Sequence, residues 1–91
     1  MGNLPHDADP KLSWAKLHLT ENPIEINNAG KEELLRIPGI GPKGAATLLF
    51  ERRKNRLTNI EELRKIGINP KRAVPFILID GHRPGQQLSF L

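Results

Sequence analysis

Apolar residues recur along this chain in short blocks separated by Gly and Pro, and inside most blocks the spacing is helical. Leu12, Ala15 and Leu19 form one stripe, with Trp14 beside it as a packing residue rather than a stacking platform. Asp9 can accept hydrogen bonds from orphan backbone N–H groups and Pro10 suits a first helical position, so a helix is predicted over residues 10 to 18. Pro23 closes that segment, and Ile24-Glu25-Ile26 follows as an extended link. A second helix is predicted over 31 to 37, with Glu33 able to reach back to the first-turn amides, Leu34, Leu35 and Ile37 inward, and Pro38 as its stop. A third runs from 42 to about 53 and turns Ala45, Leu48, Leu49 and Phe50 to the core. A fourth, over 60 to 66, is capped by Thr58 or Asn59, each three residues before a Glu. A fifth starts at Pro70 with Asn69 as cap, and Pro75 makes it short or kinked. Ile77-Leu78-Ile79 is extended. Residues 1 to 8 and 80 to 91 lack periodicity and are expected to be flexible ends flanking a domain over 9 to 79.

Two stretches of this plan are the same pattern twice. Glu33-Leu34-Leu35-Arg36-Ile37-Pro38-Gly39-Ile40-Gly41-Pro42-Lys43-Gly44-Ala45 matches Glu62-Leu63-Arg64-Lys65-Ile66-Gly67-Ile68-Asn69-Pro70-Lys71-Arg72-Ala73, with one residue deleted at the place of Pro38. Each copy reads as a short helix, a Gly-containing hairpin and a Pro-started helix, over 31 to 54 and 59 to 76, so two stacked units share one core. In the first hairpin Gly39 and Gly41 flank Ile40, which serves as an inward hydrophobic pin. The bare backbone allows close approach, and amides at the turn and at the start of the next helix make an anion-binding concavity, to which Lys43 adds a full charge.

Composition supports a helical reading. Leu, Ile, Val and Phe make up 26 of 91 residues, enough for a core, but with one Val and no Tyr there is little of the usual material of sheets. Without Cys the chain has no disulfide, thiolate metal site, iron-sulfur cluster or thiol nucleophile of its own. His6, His18 and His82 share no metal-ligand spacing. No apolar run approaches the ~20 residues of a membrane span, and a soluble, cytoplasmic protein is expected. The formal charge of +4 is unevenly placed: residues 1 to 35 sum to −3, residues 36 to 56 to +5 and residues 57 to 91 to +2. The basic middle suits a polyanion, and Arg52, Arg53, Lys54 and Arg56 either complement a helix C-terminus or steer phosphate.

The stretch Leu34-Leu35-Arg36-Ile37-Pro38-Gly39-Ile40-Gly41-Pro42-Lys43-Gly44-Ala45 resembles the helix-hairpin-helix motif, apolar-x-x-apolar-Pro-Gly-apolar-Gly-x-x-x-Ala. Two copies together resemble the double helix-hairpin-helix domain of DNA repair proteins and bacterial competence DNA receptors. The resemblance implies an all-α, SAM-domain-like bundle of about five short helices that binds DNA without sequence preference. It implies Gly39, Ile40, Gly41, Lys43 and Gly44 as the phosphate site, with Arg52, Arg53, Asn69, Lys71 and Arg72 as secondary contacts. Asn69 in place of the second glycine makes the second hairpin mainly a structural partner. Asp9-Pro10-Lys11-Leu12-Ser13-Trp14-Ala15, Pro23-Ile24-Glu25-Ile26-Asn27, the first hairpin, and Lys71-Arg72-Ala73 with Phe76-Ile77 are similar to the C-terminal region of bacterial radical SAM proteins named for DNA modification or repair. That similarity implies an excised, monomeric accessory domain, with the iron-sulfur cluster and S-adenosylmethionine confined to a parent catalytic domain, itself a candidate partner.

Two rival functions follow from the same residues. A helix-hairpin-helix glycosylase or nuclease wants a carboxylate soon after the hairpin, whereas Asp80 is the only downstream Asp and the domain is small for a base pocket, so no catalytic residue is assigned. A protein-interaction or dimerisation module is the other. Gln87-Leu88-Ser89-Phe90-Leu91 also resembles peptides that dock on the bacterial sliding clamp, with its last two residues swapped.

Overall fold

The computed structural model describes residues 9 to 84, and the expected flexible N-terminus, the end of the tail and the clamp-like peptide lie outside them. The chain forms α1 (Pro10–His18), β1 (Ile24–Glu25), α2 (Lys31–Leu35), α3 (Pro42–Glu51), α4 (Ile60–Lys65), α5 (Pro70–Ala73), a 3₁₀ turn (Val74–Phe76) and β2 (Ile77–Leu78). It is mostly helical. Helix boundaries follow local chemistry: Asp9 accepts from the Leu12 amide at 3.0 Å, Glu33 Oε1 from the Gly30 amide at 3.0 Å and Asn59 Oδ1 from the Glu62 amide at 3.2 Å. Glu62 completes the start of α4 by accepting from the Thr58 amide at 2.6 Å. Pro75 ends α5 after one turn and the chain tightens into the 3₁₀ turn. Helices α2 and α3 end earlier than their apolar spacing predicts, because Ile37 is already in the turn before Pro38 and the chain leaves the helix after Glu51.

The two extended links are partners. β1 and β2 pair in parallel, Ile24 opposite Ile77 and Glu25 opposite Leu78, and the Ile26 amide continues the ladder to the Leu78 carbonyl at 3.1 Å. A parallel pair needs a long crossover. Here both helical hairpins fill it, so the small sheet closes the segment before α2 onto the segment after α5. The mostly helical fold expected from the sequence is seen, and to it the chain adds this two-stranded sheet, whose pairing depends on contacts about fifty residues apart. Residues at the start of the expected mobile tail are also tied down. Ile79 and His82 form an antiparallel bridge, Asp80 (φ 55°) and Gly81 (φ 83°) make the turn between them, and Arg83 reaches the Thr20 carbonyl at 2.9 Å.

α2 packs on α3 and α4 on α5, and the shared core runs through Leu34, Ile37, Ile40, Leu48, Leu63 and Ile68 to Ile26 and Ile77. No polar or charged side chain is buried among the described residues. Phe50, expected inside, is 55% exposed at the end of α3 beneath the Lys54 ammonium, 4.7 Å from the ring centre. Trp14 is likewise outside the core, because α1 turns Ala15 and Leu19 inward and leaves the indole at the surface.

Candidate anion-binding hairpin

The first hairpin spans the gap between α2 and α3, where the Ile40 amide bonds back to the Ile37 carbonyl at 3.1 Å and the Ile40 side chain is fully buried. The three glycines predicted to serve one purpose serve three. Gly39 has φ 91°, a conformation that side chains rarely adopt, and it faces the second hairpin: a Cβ there would lie 2.9 Å from the Asn69 carbonyl oxygen and 3.0 Å from the Arg72 Cβ. Gly44 packs on Ile68, where a Cβ would meet Cγ1 at 3.1 Å. Gly41 is different. Its backbone is extended (φ −101°, ψ −173°), and nothing lies within 4 Å of a Cβ built on it. The close approach read from the glycines therefore concerns neighbouring protein at Gly39 and Gly44, and open space at Gly41.

Gly41 is the N-cap of α3. Pro42 has no amide hydrogen, the Ala45 amide bonds to the Gly41 carbonyl at 2.8 Å, and the amides of Lys43 and Gly44 have no acceptor among the described residues. First-turn amides face out of the N-terminal end of their helix. Lys43 is exposed beside them.

Elements distant in sequence bring further cations to this hairpin. Lys11 of α1 donates from Nζ to the Ile40 carbonyl at 2.6 Å. Partial burial holds its ammonium below the ordinary value, helped by the Arg72 guanidinium and opposed by Asp9. Arg72 lies against Gly39 and pairs with Asp9 at 3.3 Å. Lys16, Lys71 and Arg72 line the same shallow cavity as Pro38. Lys11 and Lys16 carry no local signal, since their proximity to the hairpin arises only when α1 packs across it.

The cations expected from the middle of the chain do not join this site. Arg52 and Arg53 follow the ten residues of α3, roughly 15 Å along its axis from the hairpin. Arg52 donates to the Ile26 carbonyl at 2.8 Å, Lys54 sits 3.9 Å from Glu51, and Arg56 forms a 2.6 Å ion pair with Asp80. Among the described residues Arg53 alone of this group has no such partner. Asn69 caps α5, its side chain accepting from the Lys71 amide at 3.0 Å, with φ −79° and not a left-handed conformation. The left-handed position of the second hairpin is Gly67, at φ 90°.

Comparison with known proteins gives nothing to set beside this geometry. No protein-family model, curated protein or solved structure matches the chain. The site is therefore read from its own chemistry. It offers two successive uncapped amides at a helix start and a neighbouring ammonium, a donor set suited to an oxyanion such as a phosphate. It offers no thiolate for an iron-sulfur cluster, since the chain has no Cys, and the described residues contain no group of three or more His, Asp or Glu able to hold a metal ion. No described helix is long and apolar enough to cross a membrane.

Proposed function

We propose that this chain is a non-enzymatic DNA-binding domain of the double helix-hairpin-helix type, holding one strand phosphate on the amides of Lys43 and Gly44 with the Lys43 ammonium beside it. One observation carries the reading. Of the five described α-helices, α1, α4 and α5 each have a first-turn amide capped by Asp9, Asn59 or Asn69, and α2 carries Glu32 and Glu33 in its first turn with Glu33 reaching back to the N-cap amide, whereas α3 starts with neither a capping side chain nor a carboxylate. Every other described α-helix has a capping side chain or first-turn carboxylates to meet its positive end, and α3 alone has neither, which leaves its amides for an acceptor from outside. The surrounding Lys11, Lys16, Lys71 and Arg72 favour a polyanion over an isolated anion. Nothing in this set reads a base edge, so affinity is independent of sequence. The role that fits is an accessory domain delivering DNA to a separate catalytic domain, such as a radical SAM one.

The test is an NMR titration with a short duplex at low ionic strength. Amide shifts concentrated at residues 39 to 45 are expected, with log affinity falling against log salt at a slope of about −2.7 for about three phosphates. Stationary amides in that stretch, with shifts elsewhere on adding a second copy of the chain, would replace this reading with protein interaction.

A further inference from the structure

The surface indole of α1 is not used by the hairpin, and its surroundings have the chemistry of a base site. Trp14 is 36% exposed and lies one helical turn after Lys11, whose ammonium holds the Ile40 carbonyl of the hairpin. It borders two adjoining clefts, one shared with Lys11 and Arg36 and a second of about 430 Å³ shared with His18, Asn22 and Asn28. That volume falls within the ~300–1,000 Å³ of small-molecule sites. The His18 ring is 4.5 Å from the indole and tilted by 33°, and the Arg36 guanidinium lies 5.1 Å from its centre. The two carboxylates in the wall are already spoken for: Glu33 accepts from the Gly30 amide and Glu25 from the Asn27, Asp80 and Gly81 amides. The Asn22 and Asn28 side chains have no hydrogen bond among the described residues.

We propose that this cleft receives an unpaired nucleobase from the strand whose phosphate sits at the Gly41 hairpin, the base stacking on the Trp14 face that Arg36 now covers as the guanidinium lifts away. The proposal rests on the phosphate reading above and narrows its ligand to DNA carrying unpaired nucleotides. An aromatic face stacks any base, an arginine plane covers a base as it covers the indole, and free amides can bond base edges without demanding one base. Within an uninterrupted duplex the base stays stacked on its neighbours and the cleft goes unused.

Trp14 is the only Trp in the chain, so its fluorescence reports this site alone. Three probes of equal phosphate number decide the matter: an oligothymidylate, an abasic single strand and a blunt duplex. Quenching by oligothymidylate and by neither of the others is expected. Trp14→Leu should weaken oligothymidylate binding about tenfold and leave the abasic strand and duplex unchanged, with Trp14→Phe recovering most of the loss. Equal quenching by the abasic strand, or no selective loss in Trp14→Leu, overturns the base site while the hairpin reading stands, provided Gly41→Asn weakens all three probes. If none of the three binds, the phosphate reading has failed and the base site with it.

Discussion

The two hairpins of this molecule are near repeats in sequence, yet they meet their backbone amides differently. Both bury an Ile at the tip, Ile40 and Ile68, both bend at a left-handed glycine, Gly39 and Gly67, and both lead into a helix begun by Pro. They part at the N-cap. Asn69 folds its side chain onto the Lys71 amide and closes the second hairpin on itself, whereas Gly41 leaves the corresponding amide of Lys43 open. They also part in packing, since Gly39 lies against the second hairpin's helix while Gly67 faces open space. The difference teaches that one pattern can be folded twice to different ends, once with its helix-start amides left open and once as the wall that the open hairpin leans on.

The largest effect should come from breaking the packing side of this comparison. Gly39→Ala adds a Cβ against the Asn69 carbonyl and the Arg72 Cβ, at a φ that L side chains rarely adopt. Backbone strain of about 1–3 kcal/mol and overpacking of a similar about 1–3 kcal/mol both apply. Gly67→Ala has nearly the same φ but meets nothing within 4 Å, so it should lose only the strain, about 1–3 kcal/mol. Urea unfolding of the two variants measures the gap, and equal losses would mean that Gly39 does not seat the hairpins on one another.

The N-cap side of the comparison is sharpened by exchange. Gly41→Asn places a self-capping side chain over the Lys43 amide where the backbone is extended and space is open, so the fold should change by only a few tenths of a kcal/mol. DNA affinity should fall about tenfold, near the roughly 1.5 kcal/mol of one charge-assisted hydrogen bond, and the salt slope should shrink by about 0.9. Asn69→Gly should cost a few tenths of a kcal/mol in stability and leave DNA affinity within about twofold, because α5 is a single turn and its hairpin backs onto Gly39. Filter binding over a salt series tests both. An undiminished affinity in folded Gly41→Asn would remove the amides from the site.

What could be read along the chain was local chemistry. The bounds of α1, the caps at Asp9, Asn59 and Asn69, the inward Ile40 and the early end at Pro75 each depend on residues within one turn. The parts that escaped depend on distance. Ile24 has no local reason to choose Ile77, Lys11 none to choose the Ile40 carbonyl, and Arg52 none to choose the Ile26 carbonyl. Gly44 matches a motif position, but only the approach of Ile68 shows that its missing side chain makes room for protein. Helical spacing placed Phe50 inside, although α3 ends one residue later and carries it to the rim.

The smallest predicted effect probes the same amide chemistry where the anion is internal. Glu25 stands at the end of β1 and accepts from the amides of Asn27 at 3.1 Å, Asp80 at 3.1 Å and Gly81 at 2.7 Å, so its carboxylate occupies a glycine turn as an outside phosphate would occupy the start of α3. Partial burial, the largest single influence, pushes its pKa upward, but the hydrogen bonds from Gly81, Asn27 and Asp80 together outweigh it and hold the group below its ordinary 4.5. The unfolded chain then binds a proton at higher pH than the folded one, so this stabilisation is complete above about 4.5 and is lost as pH falls through the depressed value. Glu25→Gln should flatten that acid decline and leave the neutral-pH salt slope for DNA untouched. Urea midpoints of both proteins between about pH 3 and 6 measure the first. A parallel decline in the two proteins would show that the turn at Asp80 and Gly81 is held by its backbone bridge, with no contribution from the charge of Glu25.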